Sequence, residues 1–318
     1  MKRHNQILAG LLVVQIVISA VLFWPRSSAA TGKSEPVFPD LKAEEIVSLT
    51  ITDDQGNTVS LKKEGGDWVL ADADGYPAQA DRVTTLLDKL VGLTTGRLVA
   101  RTDASQRRLQ VADDDFVRRI RFETADGKEH VLYLGSSPSY GATHFRLGGE
   151  TETYLTDNLT AWDVGSTATA WVNTTYLEVP FDEVTKMTLE NKNGTFVFTK
   201  DEEGHWTMEG LGPDESLKES AVTTMLRRAT KVNLAVPLGK TEKPEYGLDE
   251  PNAIVTLETG ERTVVLKVGA RNPDDETYVV GSSESPYYVR VSEFAVQHMV
   301  EDGRDDFVPP PVTPTPAP

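Results

Sequence analysis

Serine, histidine and carboxylate side chains are the residues of this chain that could carry chemistry, because the sequence contains no cysteine. Without cysteine there is no thiolate nucleophile, no disulfide and no Cys-based zinc or iron–sulfur site. The stretch 135–141 resembles the nucleophile elbow of serine hydrolases, but Ser137 stands where the first glycine of that motif belongs. We therefore interpret Ser139 as a loop residue, and we predict no catalytic residue and no enzymatic activity.

Metal binding is the second chemistry to consider. His130 and His205 do not belong to an H-x-x-x-H or H-E-x-x-H spacing, so a zinc site on a helix is not indicated. Acidic runs at 72–75 and 113–115 could place carboxylates around calcium, but both lack the full twelve-residue pattern with its distal glutamate. We interpret them as solvated loops and predict neither a metal nor a cofactor.

The charge balance excludes another class of function. The chain of 318 residues has 32 basic and 49 acidic residues, which give a net charge of −17. Such a charge repels polyanions. We therefore predict that the protein does not bind nucleic acid.

An internal duplication organises the chain. Residues 45–70 align without a gap on residues 183–208, an offset of 138, and identical residues recur at several positions. They include Glu45 and Glu183, Thr50 and Thr188, Gly56 and Gly194, Glu64 and Glu202, Gly66 and Gly204, and Trp68 and Trp206. Each copy predicts strands joined by Gly-containing turns, with the third strand beginning at Trp68 or Trp206. Exposed tryptophans would suggest carbohydrate platforms, but we expect both to lie in the core.

After each copy of these strands, which we call a meander, the chain continues with a helix and then a hairpin. Val83, Leu86, Leu87 and Leu90 have helical spacing after Asp81, which we take as the N-cap. In the second copy, Ser216 and Glu219 have the spacing of a capping box before a similar stripe. The sequence therefore predicts an α+β fold of two tandem repeated units. Each unit is an antiparallel sheet or meander with an amphipathic helix packed on it, and both follow an N-terminal transmembrane helix.

The N-terminus carries the signal for export. Lys2 and Arg3 precede the uncharged stretch 7–24, which as a helix is roughly 27 Å long, close to the thickness of a bilayer core. One interpretation is a signal anchor that is not cleaved, and the other is a signal peptide cut after Ala30. The positive residues place the N-terminus in the cytoplasm and the rest of the chain outside.

These signals predict a single-pass cell-membrane protein with extracytoplasmic C-terminal units. The predicted parts are a cytoplasmic N-terminus (1–6), a transmembrane anchor (7–24), a flexible tether (25–39), a first α+β unit (40–177), a second unit (178–307) and a Pro-rich tail (308–318).

The duplicated meander, the hairpins ending at Gly135 and Gly269, and the Y-G-L-D-x-P stretch at 246–251 resemble a bacterial family, the domain of unknown function 4340 family. The resemblance covers residues 40–307, although residues 109–113 of the first unit depart from the Y-G-L-D-x-P pattern. It implies one membrane segment with repeated α+β units outside. Similar proteins are often encoded beside the ATPase, permease and auxiliary subunits of a gliding-type ABC transporter, and the family has no catalytic residues to carry over.

The leading hypothesis is a non-enzymatic, membrane-tethered extracytoplasmic protein that acts as an accessory or scaffold component of an ABC-type transport assembly. Its expected partners are the membrane and the permease or auxiliary subunits of the transporter. The alternative is an envelope module that binds polysaccharide or another surface ligand. An enzyme with carboxylate-only chemistry, such as a glycoside hydrolase, would need a pair of acidic residues that no spacing singles out.

Overall fold

The computed structural model describes residues 34–309 and Gln15. The predicted anchor, apart from Gln15, and most of the predicted tail lie outside these residues. Among the described residues, no helix has both the length and the apolar character needed to cross a membrane.

The first unit is mainly antiparallel sheet. Its strands are β1 (Ile46–Asp53), β2 (Thr58–Glu64), β3 (Asp67–Leu70), β4 (Tyr76–Pro77), β5 (Leu98–Ala100), β6 (Val111–Ala112), β7 (Asp115–Phe116), β8 (Arg118–Thr124), β9 (Glu129–Leu134), β10 (Thr143–Leu147) and β11 (Thr153–Thr156). Its helices are α1 (Ala80–Val91) and α2 (Asp103–Arg108), with short 3-10 helices at Ala43–Glu45, Ala71–Ala73, Ala161–Asp163 and Ala168–Ala170.

The second unit repeats this plan. Its strands are β12 (Thr175–Glu178), β13 (Val184–Asn191), β14 (Gly194–Lys200), β15 (Trp206–Met208), β16 (Lys231–Asn233), β17 (Val236–Gly239), β18 (Ala253–Thr259), β19 (Thr263–Asn272), β20 (Thr277–Ser282) and β21 (Tyr288–Ser292). Its helices are α3 (Glu219–Thr230), α4 (Glu293–Glu301) and α5 (Arg304–Phe307), with 3-10 helices at Phe181–Glu183 and Pro244–Tyr246.

The two large sheets have the same strand order. The first runs β4-β3-β2-β1-β8-β9-β10-β11-β5, and the second runs β15-β14-β13-β18-β19-β20-β21-β17. Apart from β4, every strand of the first sheet has a counterpart at the same place in the second. A β-bulge also recurs, because the register shifts between Ile46 and Ser48 in β1 and between Val184 and Lys186 in β13. The α+β architecture is thus confirmed, and the matching sheets are consistent with a duplicated unit.

The ladder corrects the gap-free alignment of the two copies. In the first unit, Leu61 pairs with Leu49. Met187, the counterpart of Leu49, pairs with Phe198, so Leu61 corresponds to Phe198 at an offset of 137 instead of 138. The β1–β2 turn is one residue longer than the β13–β14 turn, and the next turn is one residue shorter than its counterpart. The two differences cancel. Trp68 therefore still aligns with Trp206, whereas β2 is displaced by one residue against β14.

Each amphipathic helix packs its predicted stripe into the core. Val83, Leu86, Leu87 and Leu90 of α1 are buried, as are Val222, Met225, Leu226 and Ala229 of α3. The apolar spacing therefore predicted both helices correctly.

The predicted helix caps were wrong. Residue Gln79, not Asp81, precedes α1, and Lys218, not Ser216, precedes α3. Neither residue caps with its side chain. The Gln79 N–H instead donates to the Trp171 carbonyl at 2.6 Å, and the Lys218 N–H donates to the Phe307 carbonyl at 2.7 Å. A tertiary contact thus ties the start of each helix to the aromatic residue that closes its unit.

Two segments begin the units earlier than the predicted boundaries. The Val37 N–H donates to the Leu93 carbonyl at 2.8 Å, and Phe38 is buried, although both residues fall in the stretch assigned to the tether. In the second unit β12 pairs with β16, so the chain at the boundary is a strand of the second unit. The stretch after Ala100 forms α2, and Thr102 caps this helix by accepting from the Ser105 N–H.

Candidate functional site

Ser139 and a nearby serine–histidine pair lie at the β9–β10 connection. Ser139 is exposed in a loop, as predicted. A serine–histidine pair does form nearby, where His144 Nδ1 lies 3.2 Å from Ser136 Oγ and 2.7 Å from the Ser136 carbonyl oxygen. A carbonyl oxygen only accepts, so Nδ1 carries the proton and cannot take one from the serine. This pair anchors the β9–β10 connection and is not arranged as a nucleophile and base.

One carboxylate of each acidic run is bound by protein groups. The Asp74 carboxylate accepts the backbone N–H groups of Thr241 and Lys240 at 3.2 and 3.1 Å, and these bonds lower its pKa. Asp113 binds the buried Arg146 guanidinium, and the hydrogen bond from that side chain lowers the Asp113 pKa. No group of three or more metal-ligating side chains occurs in the described part of the chain.

The histidine and tryptophan side chains lie in different environments. His130 packs against Phe122, with ring centroids 5.0 Å apart, whereas His205 is exposed in its turn. Trp68 and Trp206 are both buried at 6% exposure, so neither forms a surface platform. Trp162, by contrast, is 95% exposed.

The two units meet at a cluster of tyrosines. The rings of Tyr76 and Tyr287 lie 4.7 Å apart, and the Tyr287 hydroxyl donates to the Gly75 carbonyl at 2.8 Å. The Tyr176 hydroxyl donates to the Tyr287 carbonyl at 2.7 Å, and burial raises the Tyr176 pKa to about 12. Together with the bonds that Asp74 accepts, these contacts join the 3-10 helix and β4 of the first unit to the second.

A cleft of about 530 Å³ opens beside this junction. Its walls come from three parts of the first unit and one of the second, namely residues 57–60, residues 70–73, residues 166–169 and residues 235–237. The lining side chains are mostly hydroxyls and apolar groups, together with the amide of Asn57. Asp72 carries the one charge among the described residues that line it. A cleft of this volume is large enough for a small ligand or a short stretch of polypeptide.

One wall of the cleft is a strand edge that has no backbone partner among the described residues. The Asp53 N–H donates to the Asn57 carbonyl, which makes these two residues a hydrogen-bonded pair of the β1–β2 ladder. Because bonded and non-bonded pairs alternate, the backbone groups of Thr58 and Ser60 point away from β1. On that side β3 pairs with β2 only from Leu61 to Glu64. We call residues 58–60 the open edge.

The second unit closes the corresponding edge. There the Glu209 N–H donates to the carbonyl of Val197 at 2.9 Å, one residue beyond the last pair of the β14–β15 ladder. By the ladder, Val197 corresponds to Ser60. In the first unit the chain leaves the ladder at Ala71 and forms the 3-10 helix that leads to Asp74. The open edge therefore exists because this segment turns away to contact the second unit.

A second cleft, of about 510 Å³, lies between residues 37–41 and the β8–β9 turn. Two of its charged groups are paired with each other, since Lys128 Nζ lies 2.8 Å from Asp126 Oδ2. None of the described residues that line it forms an unpaired strand edge of the two large sheets, so the cleft between the units is the better candidate site.

The sequence profile described as "Domain of unknown function (DUF4340)" matches residues 68–235, just over half of the chain. The chain belongs to the DUF4340 family. The resemblance stated from the sequence is thereby confirmed. The DUF4340 match runs from β3 to the residue before β17, and it includes residues 70–73 and 166–169, which line the cleft. No curated protein and no solved structure matches the chain significantly.

Sequence reasoning did not find this cleft. Its walls are up to 180 positions apart in the chain, from residue 57 to residue 237, and none has a chemical motif. One sequence signal was available, because Ala71-Asp72-Ala73-Asp74-Gly75 follows the first meander and has no counterpart in the repeat after Met208. A difference between two copies of one unit marks a place where one copy has acquired another role.

Proposed function

We propose that the protein is a non-enzymatic, membrane-tethered extracytoplasmic docking protein, and that it is an accessory or scaffold component of an ABC-type transport assembly. The observation that carries the docking role is the open edge in the cleft between the units. Unpaired strand edges bind other polypeptide segments by extending the sheet. The tether and the transporter association rest on the sequence and on the family resemblance.

The lining of the cleft supports binding in preference to catalysis. General acid–base chemistry needs groups whose pKa is close to neutral and that lie within hydrogen-bond reach of each other. The cleft offers serine and threonine hydroxyls, with Thr167 Oγ1 and Thr169 Oγ1 bonded to each other at 3.2 Å, and the single carboxylate of Asp72. Hydroxyls and backbone groups of this kind fix the position of a ligand without activating it.

The experiment is recovery of a complex from membranes. The full chain, with an affinity tag, is solubilised from its own membranes in mild detergent, and the co-purifying proteins are identified. We expect permease or ATPase subunits of an ABC transporter to be recovered. A control bait that joins residues 1–39 to an unrelated folded domain must not recover them. Transporter subunits that are absent, or equally abundant with the control bait, would refute the proposal.

The alternative is an envelope module that binds polysaccharide, and exposed Trp162 is the observation that favours it. An exposed tryptophan can stack on a sugar ring. However, the cleft has no aromatic side chain among its described lining residues. Titration of the full chain with envelope glycans, comparing wild type with Trp162→Ala, tests this function. Saturable binding that the substitution abolishes would establish it.

A further inference from the structure

We infer that the cleft between the units binds an extended segment of a partner protein, which pairs with the open edge of β2 as an additional strand. This inference rests on the proposed docking function and specifies its ligand. The ligand is a polypeptide with short side chains that alternate along the strand, and with a basic residue at the end that lies beside Asp72.

The backbone of the open edge is ready to pair. Thr58 and Ser60 each present one N–H and one C=O on the side away from β1, and β3 does not reach them. Thr58 is exposed and Ser60 is half-buried, so a strand can approach. An extended peptide supplies the complementary donors and acceptors at the same spacing, which a sugar or a compact small molecule does not.

The facing walls limit the side chains. Ala73, Ala168 and Ala235 lie around the open edge. Pro237 has no backbone N–H to donate, which makes the nearby edge of β17 a poor partner for another strand. Small walls of this kind leave room for a backbone with short side chains. The remaining charge is Asp72, on a chain whose net charge is −17, so a basic residue is favoured over an acidic one.

The partner is not this chain's own C-terminal end. Residues 309–318 contain six prolines in ten positions, and proline has no N–H to donate to a ladder. A second copy of the protein is also disfavoured, because two chains of charge −17 repel each other. A strand from a different, less acidic protein satisfies both the hydrogen bonds and the charge.

The test uses peptide selection with variants at one position. A display library of short random peptides is selected on the full chain, and the affinities of the recovered peptides are measured for wild type, Ser60→Pro and Ser60→Ala. Proline removes the outward N–H and keeps the β1 side of the ladder, whereas alanine keeps the N–H. We expect Ser60→Pro to weaken binding at least about tenfold and Ser60→Ala to change it by less than about threefold.

A second measurement does not depend on the fold of the variant. Each selected peptide is resynthesised with N-methyl groups at alternate backbone positions, in both phases, and is tested on the wild-type chain. One phase must lose binding and the other must keep most of it, because only every second residue of an added strand bonds to its neighbour. Amide exchange at Ser60 must slow when the unmodified peptide binds.

The outcomes separate the inference from the proposed function. Peptides that bind equally to all three proteins, or that tolerate both N-methyl phases, overturn strand addition even if transporter subunits are recovered from membranes. Failure to select any peptide above background also overturns it. A dimer of the full chain that Ser60→Pro abolishes, without peptide binding, assigns the open edge to a second copy instead. Strand addition without transporter subunits leaves the inference standing and refutes the transport role.

Discussion

Gln110 occupies in the first unit the place that Gly247 occupies in the second, and both have a left-handed backbone, with φ of 56° and 63°. The carbonyl of the preceding residue, Leu109 or Tyr246, lies against Gly135 or Gly269 of the adjacent strand. A Cβ at either glycine would come within about 2 Å of that carbonyl oxygen. The first unit thus keeps the turn of the Y-G-L-D-x-P stretch although its residues differ.

This pair predicts opposite effects of two substitutions. Gln110→Gly removes a side chain that disfavours the left-handed region, so we expect the free energy of unfolding to rise by about 0.5–1 kcal/mol. Gly247→Ala introduces the same penalty, and its Cβ would lie 3.2 Å from Ala270. We expect it to lower the free energy of unfolding by about 1–2 kcal/mol. Urea unfolding of both variants is the measurement. Equal signs for the two substitutions would show that the turns are not equivalent.

The helices and the strand pairing show what the sequence could and could not predict. Apolar periodicity located α1, α3 and the paired strands, because those patterns follow from local geometry and one buried face. The shift of Phe198 against Leu61 was missed, because two compensating turn lengths leave the flanking identities in place. A shift of one residue exchanges the faces of a strand, so burial shows the correct pairing. Val59 and Leu61 are buried, as are Phe196 and Phe198.

The candidate site could not be predicted from the sequence, for a different reason. Its existence depends on Ala71 leaving the β2–β3 ladder and on Asp74 reaching the N–H groups of Lys240 and Thr241. Those contacts join positions 166 and 167 residues apart. Propensity and spacing report only on near neighbours, so they predict the units but not the way the units meet.

Asp53 predicts a pH dependence of stability in the first unit. Burial alone would raise its pKa, but hydrogen bonds from Asn57, Ser166 and Gln55 outweigh that effect and lower the pKa from 3.8 to about 2. A carboxyl whose pKa is lower in the folded state stabilises the fold fully above its unfolded pKa. That stabilisation is lost as the pH falls from about 4 to about 2.

The matched variant is Asp53→Asn, since the corresponding residue of the second unit is Asn191 at the end of β13. We expect it to lower the free energy of unfolding by about 1–3 kcal/mol at neutral pH, because an amide satisfies fewer of these donors. The difference between wild type and variant should shrink between pH 4 and pH 2, as measured by urea unfolding across that range. Other carboxyls titrate in both proteins, so their contributions cancel in this difference. A difference in the free energy of unfolding that stays constant with pH would show that the Asp53 carboxylate does not cause the pH dependence.

Limited proteolysis tests how the boundary between the units is built. Thr175–Glu178 pairs with Lys231–Asn233, and Tyr176, Leu177 and Val179 are buried, so we expect residues 174–180 to resist cleavage. Residues 209–218 precede α3 without regular structure and are mostly exposed, and we expect the first cut there. Mass spectrometry of the early fragments identifies the site. Early cleavage within residues 174–180 would mean that the units separate in solution.

Trp171 and Phe307 predict how the two units unfold. Each aromatic residue closes its own unit, is buried at 2% or less, and accepts the N–H that begins the unit's main helix. Most buried apolar residues of both units nevertheless form one continuous cluster, with Tyr176 from the boundary strand inside it. A shared core unfolds cooperatively. Loss of the side chain of Trp171 or Phe307 should therefore destabilise the whole protein.

We therefore expect Trp171→Ala and Phe307→Ala each to lower the free energy of unfolding by about 3–5 kcal/mol. Each should shift one common transition, so that calorimetry and tryptophan fluorescence report the same midpoint. Val99→Ala, an exposed position on the edge strand β5, is the control and should shift it little. If Trp171→Ala instead split the transition and left one midpoint unchanged, the units would be independently stable. The junction at Tyr76 and Tyr287 would then be a docking contact between two domains, and the width of the cleft would vary with their relative motion.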